Sequence, residues 1–161
     1  MSATEPLIEQ IAAALEAVLR GITVAAGWQI EVGDVIRPDR RGHFRGPQHW
    51  ECVMLQEDPR AAEAQSSGVE QWETDFVIDL CIRPSDYETT AFDTLANRAA
   101  AQLRKAIMAA TTLTAALGVL DYAVGPWSKL VEIEGAYGGI TLTVTVQHWH
   151  AEGDPYTVPG E

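Results

Sequence analysis

The residues from Trp72 to Ile82 constrain the fold more than any other part of the chain, because apolar and polar side chains alternate along them. Successive side chains of a β-strand point to opposite faces of the sheet, so alternate residues share one face. The first face would carry the mostly apolar residues Trp72, Thr74, Phe76, Ile78, Leu80 and Ile82. The second would carry the acidic residues Glu73, Asp75 and Asp79, together with Val77 and Cys81. The pattern predicts a long strand with one face in the core and an acidic opposite face.

Two other stretches have helical spacing, with apolar residues three and four positions apart. The first runs from Leu7 to Arg20. The second begins after Ser85 and Asp86, which are suited to capping a helix, and continues to about Thr111. The many alanines of this second stretch favour close packing of the helix on a sheet.

Further strands are predicted on both sides of the second helix. They cover Trp28–Ile36, Trp50–Gln56, Val119–Val124, Trp127–Glu134 and Gly139–His150. The order of elements is therefore α-β-β-β-α-β-β-β, which predicts an α+β fold in which two main helices pack on a mostly antiparallel sheet. With 161 residues, the chain is expected to form a single domain over residues 1–161.

The chain is strongly acidic, with 23 Asp and Glu against 11 Lys and Arg and a formal net charge of −12. Such a surface repels nucleic acid and anionic lipid, which disfavours proteins that grip either one. No apolar run approaches the length that spans a bilayer, and the first residues lack the pattern of a secretion signal. Cys52 and Cys81 each lie in an apolar strand pattern and are predicted to be buried thiols in a protein made in a reducing cytosol.

The sequence motifs that commonly carry catalysis are missing. There is no Gly-Lys-Ser or Gly-Lys-Thr phosphate loop, no Gly-x-Gly-x-x-Gly and no nucleophile elbow. We therefore expect no catalytic residues, no metal, no cofactor and no enzymatic activity. One alternative stays open, a small metal-binding hydrolase-like domain that uses His148 and His150. These residues lie two apart on a predicted strand and share a face, a spacing that equally suits a strand running past the core.

Residues 37–49 are predicted to form a long irregular loop, because they hold two prolines and two glycines. Four of the chain's 11 basic residues lie in it: Arg37, Arg40, Arg41 and Arg45. The loop is either a mobile surface segment or an arm that docks on an acidic partner.

Two further features have open alternatives. The acidic strand face of Glu73, Asp75 and Asp79 suits either a solvated surface or the lining of a channel. Residues 151–161 are predicted to form an extended tail, which either frays or crosses onto a neighbouring copy. In the second case its candidate inter-subunit contacts are Asp154, Pro155 and Tyr156.

Taken together, these patterns resemble the tail terminator (tail completion) proteins of long-tailed bacteriophages. The N-terminal helix leads into Glu31-Val32-Gly33-Asp34-Val35, a loop of variable composition follows, and a later alanine-rich helix contains Leu95-Ala96-Asn97. The last strand, which includes Thr143-Val144-Thr145-Val146-Gln147-His148-Trp149, is followed by Gly153-Asp154-Pro155-Tyr156.

The resemblance implies a structural protein that forms a ring, usually of six copies, at the head-proximal end of the tail tube. Such a ring ends polymerisation of the tube and joins the tail to the head connector. The implied partners are other copies of the chain, the tail tube protein and a head–tail connector protein, while DNA passes through the lumen without specific binding and no membrane is involved. The implied location is the neck region of the virion, after synthesis in the host bacterial cytoplasm. Another head–tail connector or neck protein is the alternative within the structural class.

Overall fold

The computed structural model describes residues 5–37, 51–62, 67–83, 86, 88–133 and 137–160. Two α-helices and seven strands alternate along these residues in the order α-β-β-β-β-α-β-β-β. The elements are α1 (Leu7–Arg20), β1 (Asp34–Ile36), β2 (Glu51–Gln56), β3 (Arg60–Ala61), β4 (Val69–Cys81), α2 (Phe92–Met108), β5 (Val119–Val124), β6 (Ser128–Ile133) and β7 (Tyr137–Ala151).

The sheet is built around one long antiparallel pair, β4 with β7, whose register runs from Val69 opposite Ala151 to Cys81 opposite Gly139. Strands β2 and β3 both pair with the edge of β4 that faces away from β7, one after the other along it. In the same way, β5 and β6 both pair with the edge of β7 that faces away from β4. Strand β1 pairs with β2 in parallel and forms one edge, so the main path of the sheet is β1-β2-β4-β7-β5.

Both helices pack against the same face of this sheet, here called the inner face. Alternate residues of β4 and β7 are almost fully buried there, among them Phe76, Ile78, Leu142 and Val144. Helix α1 contributes Ile11, Leu15 and Leu19 to this core, and α2 contributes Ala96, Ala99, Leu103 and Ile107. The small alanines bring α2 close to the sheet, as the sequence predicts. The α+β fold class is thereby confirmed.

An arginine from each helix covers a carbonyl at one edge of the sheet. Arg20 of α1 donates to the carbonyl of Val35 on β1 at 3.0 Å, and Arg104 of α2 donates to that of Val124 on β5 at 2.8 Å. Exposed strand edges invite pairing with another strand, and side-chain donors of this kind reduce that tendency.

Several predicted boundaries are wrong, among them those of the first strand and of the second helix. The strand predicted over Trp28–Ile36 is reduced to β1, because Gly33 has a left-handed φ of 68° that interrupts an extended chain. Ile30 and Val32 are buried nonetheless, so their alternation reflects packing rather than a strand. The short strand β3 was not predicted from the sequence, and the second helix runs from Phe92 to Met108 rather than from directly after Asp86 to about Thr111.

Candidate functional site

The opposite face of the sheet, here called the outer face, carries the acidic residues that the alternation of β4 predicts. Glu73 and Asp75 are partly exposed, at 28% and 24% of their side-chain surface. Asp79 differs from them, because it is only 5% exposed. The accessible acidic surface therefore lies towards the start of β4, and Asp79 is not a surface charge in the single chain.

Arg60 on β3 binds both accessible carboxylates of β4. Its Nε atom donates to Glu73 Oε1 at 2.8 Å, and its Nη1 atom donates to Asp75 Oδ2 at 2.8 Å. Bidentate contacts between a guanidinium and carboxylates are strong and directional. Together the outer face of β4 holds three carboxylates, those of Glu73, Asp75 and Asp79, against the one guanidinium of Arg60, so its formal charge stays negative.

Strand β7 supplies hydroxyl and amide groups to the same face. Thr145 lies directly opposite Asp75 and donates its hydroxyl to Asp75 Oδ1 at 2.6 Å. The hydrogen bonds from Arg60, followed in importance by the one from Thr145, hold the pKa of Asp75 below its ordinary value. Gln147 likewise lies opposite Glu73 and reaches it at 3.4 Å. Neighbouring donors therefore hold the carboxylates of Glu73 and Asp75 in place, and those around Asp75 favour its ionised form.

The two cysteines lie on opposite faces of the sheet, because they occupy adjacent strands in positions one register step apart. Both are free and buried, as predicted. Burial raises the pKa of the Cys81 thiol to about 12 and raises that of Cys52 further. Thiols of this kind are poor nucleophiles and pack as small apolar side chains.

His148 and His150 share the inner face at the end of β7. His148 is 4% exposed, and its Nε2 atom lies 2.9 Å from the hydroxyl of Thr74, a hydrogen bond within the sheet. Burial, with a smaller contribution from the charge of His150, lowers the pKa of His148 to about 4. His150 stacks on Trp72 with 6.5 Å between ring centroids, and its Nε2 atom lies 3.6 Å from Glu70 Oε2.

The contacts of His148 and His150 weigh against the alternative prediction that this pair binds a metal ion. Each histidine already has a protein partner on one of its nitrogens, Thr74 for His148 and the Ala151 carbonyl for His150. No group of three or more His, Cys, Asp or Glu side chains in the described part of the chain is arranged to hold a metal ion. Among the described residues, His148 and His150 therefore lack the additional ligands that a tetrahedral metal site needs.

Of the four arginines predicted to dock on a partner, Arg37 is the one that falls within the described residues. It forms an ion pair with Glu9 of α1, and this contact lowers the pKa of Glu9. Arg40, Arg41 and Arg45 lie outside the described residues. In the structure, Arg37 therefore pairs with a residue of its own chain.

The predicted extended tail is instead a closed turn. The carbonyl of Thr157 accepts from the N–H of Ala151, and Asp154 accepts from the N–H of Tyr156 at 3.0 Å and from the hydroxyl of Thr157 at 2.7 Å. Asp and Thr side chains stabilise such turns by bonding nearby backbone groups. Pro155 contacts α1 through its carbonyl, and Tyr156 remains 42% exposed.

Two surface features next to the helices were not predicted from the sequence. The first is an open groove of about 500 Å³ beside the start of α1. The second is a pair of exposed large apolar residues, Met108 at the end of α2 and Leu120 on β5, at 50% and 45% exposure. Neither has a local signature in the sequence, because both depend on which faces of α1, α2 and β5 the fold leaves uncovered.

No protein-family model matches the chain, and no curated protein is significantly similar to it in sequence. Neither helix in the described part of the chain has the length and apolar character needed to cross a membrane.

Proposed function

We propose that this chain is a tail terminator of a long-tailed bacteriophage, located in the neck region of the virion. In this role it forms a ring, of six copies as in the family it resembles, at the head-proximal end of the tail tube. The ring ends tube polymerisation and presents a surface to the head connector.

The observation that carries the proposal is the two-faced sheet. Both helices cover the inner face, while the outer face presents Glu73 and Asp75 beside the hydroxyl of Thr145. The central pair of strands extends over 13 register positions, which corresponds to roughly 40 Å. A sheet of this length, repeated around an axis with its outer face inward, gives a wall whose accessible part carries Glu73 and Asp75 beside the polar side chains of β7.

The charge of the chain supports the same arrangement. Six copies would carry a formal charge of six times −12, or about −72. A negatively charged wall repels the phosphate backbone of DNA and so allows it to slide without being gripped. The strong acidity that disfavours a DNA-binding protein therefore suits a DNA channel.

The decisive experiment measures assembly of the purified chain alone and with tail tubes of the phage that encodes it. We expect rings with a central opening by negative-stain electron microscopy, and binding of these rings to one end of the tube. Tubes grown in the presence of the protein should also stop at a fixed length. A chain that stays monomeric at every concentration and ignores the tubes contradicts the proposal. A ring that binds the portal side of the neck but never the tube indicates a connector protein instead.

The basic loop provides a second test. Replacement of Arg40, Arg41 and Arg45 by Ser should leave the melting temperature almost unchanged, because charged side chains of a segment whose sequence predicts a loop are expected at the surface, where substitutions usually cost less than about 0.5 kcal/mol. If the loop docks on an acidic partner, the triple variant should bind that partner more weakly and with less dependence on salt. Unchanged assembly and unchanged tail length would show that these arginines have no docking role.

A further inference from the structure

Helix α2 carries three exposed cations, Arg98, Arg104 and Lys105, that have no carboxylate partner among the described residues. In the same part of the chain, every other Arg or Lys side chain forms an ion pair with a carboxylate: Arg20, Arg37, Arg60, Arg83 and Lys129. Acidic residues outnumber basic ones by 23 to 11 in the whole chain, so three cations without a carboxylate on one helix are an exception. Arg104 donates to the Val124 carbonyl at 2.8 Å and Lys105 lies over the ring of Trp28.

Five exposed residues of α2 form a continuous surface, which we call the α2 stripe: Thr94, Arg98, Ala101, Lys105 and Met108. Their spacing alternates between four and three residues, the spacing at which side chains of one helix line up to meet a second helix. Arg98 and Lys105 are seven residues apart, or roughly 10.5 Å along the helix axis. Ala101 between them leaves room for a close approach, and Met108 adds an apolar side chain that is 50% exposed.

The segment between α1 and β1 holds one cation of the stripe in place. The backbone N–H of Gln29 donates to Gln102 Oε1 at 2.7 Å, and the Nζ atom of Lys105 lies 5.7 Å from the ring centre of Trp28. A cation over an aromatic face is attracted by the ring electrons. Lys105 therefore has less side-chain freedom to lose when a partner binds, which favours binding.

The α2 stripe points away from the sheet. The buried side chains of α2, among them Ala99 and Leu103, pack against the inner face, so the stripe lies on the side of the protein opposite the acidic outer face. In the proposed ring, whose outer faces are turned inward, the stripe would lie outside the lumen. Because the stripe is exposed in the single chain, a partner can bind it whether or not the ring forms.

The charges of the stripe match carboxylates on a second helix. Carboxylates seven residues apart on such a helix have the same separation as Arg98 and Lys105. A guanidinium binds a carboxylate through two parallel hydrogen bonds, which adds direction to the attraction. We propose that the α2 stripe binds an acidic amphipathic helix of another protein, whose carboxylates meet Arg98 and Lys105 and whose apolar side chain packs on Met108.

The net charge of the chain makes an acidic helix a better occupant than nucleic acid. Duplex DNA carries one charge per roughly 1.7 Å of its axis, far more than three cations neutralise in a chain of net charge −12. A helix with a few carboxylates is repelled much less. The acidic remainder of the surface also repels it, which restricts binding to the stripe.

The test measures binding of the full chain to a fluorescein-labelled helical peptide by fluorescence anisotropy. In this peptide Glu repeats every seventh residue and Leu follows three residues after each Glu. We expect saturable binding that weakens as the salt concentration rises. A scrambled peptide of the same composition should bind at least about tenfold more weakly, because its carboxylates no longer lie at the spacing of Arg98 and Lys105.

Arg98→Glu is the decisive variant, because it reverses a cation that has no carboxylate partner in the described part of the chain. It should weaken binding of the peptide by at least about tenfold, since like charges then face each other. Its circular dichroism and melting temperature should match those of the unmodified chain. Arg83→Glu is the matched control, because it changes the net charge equally and lies outside α2. It should bind the peptide within about twofold of the unmodified chain.

Absence of peptide binding at low salt, or equal binding by the unmodified chain and Arg98→Glu, overturns the inference. Two further measurements test other occupants, namely binding to phosphatidylglycerol vesicles and sedimentation of the chain alone. If Arg98→Glu abolishes vesicle binding or self-association while the peptide does not bind, the stripe belongs to a membrane surface or to a second copy and the inference fails. Ring assembly on tail tubes that is unaffected by Arg98→Glu leaves the proposed function intact in every one of these cases.

Discussion

The backbone N–H of Leu7 donates to the carbonyl of Pro155 at 2.9 Å, and this bond joins the beginning of the fold to its end. Leu7 is the first residue of α1, where backbone N–H groups lack partners within the helix. The residue before it is Pro6, which provides no side-chain cap. The turn after β7 therefore performs the capping that a Ser or Asp performs at many other helices.

Removing this turn should weaken the fold measurably. A chain that ends after Gly153 loses the carbonyls of Pro155 and Thr157, which accept from Leu7 and Ala151, and should lose about 2 kcal/mol of unfolding free energy, about 1 kcal/mol for each hydrogen bond. A chain that ends after Thr157 is the matched control, because it keeps both Pro155 and the bond between Thr157 and Ala151. Urea denaturation measures both. Equal losses in the two truncated chains would show that the turn itself contributes nothing.

The buried imidazole of His148 is expected to make the free energy of unfolding depend on pH. Its pKa in the fold is lowered to about 4, whereas in the unfolded chain the imidazole titrates near its ordinary value of 6.5. Between these values the unfolded state binds the proton more readily. Stability should therefore be complete above pH 6.5 and fall as the pH drops towards 4, by up to about 1.4 kcal/mol per pH unit from this group.

The variant His148→Gln isolates this contribution, because glutamine keeps a polar group near Thr74 but does not titrate. Its urea-derived stability should be lower than that of the unmodified chain at neutral pH, and should change less across the same acidic interval. The difference between the two proteins removes the shared effect of the carboxylates. Identical slopes for both proteins would rule out His148 as the group responsible.

Replacing Gly118 by alanine is expected to destabilise the fold strongly, although it adds only one methyl group. Its φ is 75°, and a Cβ atom there would lie 2.4 Å from the Trp149 carbonyl oxygen. Gly118→Ala therefore adds a collision to the cost of a left-handed backbone. Gly27 has a φ of 90° but nothing within 4 Å of the same position, which makes Gly27→Ala the control. We expect Gly118→Ala to cost about 2 kcal/mol more than Gly27→Ala in thermal or urea unfolding. Equal costs would contradict the close approach of Gly118 to Trp149.

The elements that the sequence predicts well are those whose pattern is long and one-sided. The spacing along Leu7–Arg20 places α1 at its observed bounds, and the alternation after Trp72 identifies both faces of β4. In each case one buried face is repeated over several turns or residues, so local pattern and tertiary packing agree for that face, although the second half of β4 is buried on both faces.

The parts that the sequence did not reveal depend on contacts between distant segments. Strand β3 has two residues, and it exists because Arg60 and Ala61 pair with β4 and Arg60 binds carboxylates there. The burial of Asp79 has the same origin, because strict alternation with Glu73 predicts an exposed face and only the folded surroundings distinguish the two acids. Ion pairs between residues far apart in sequence, such as Arg60 and Glu73, leave no repeating pattern from which they could be predicted.

Arg60 offers the most direct test of the candidate outer face. Replacing it by Gln removes the largest cause that holds the pKa of Asp75 down, so this pKa should rise. It should no longer lie below the ordinary value of an aspartate, because the partial burial of the carboxyl, which raises the pKa, outweighs the remaining hydrogen bond from Thr145. Carbon-detected NMR titration of the side-chain carboxylates measures the change. Arg83→Gln is the control, since Arg83 pairs with Asp86 and leaves Asp75 untouched. An unchanged Asp75 titration in the Arg60 variant would show that the guanidinium does not order this face in solution.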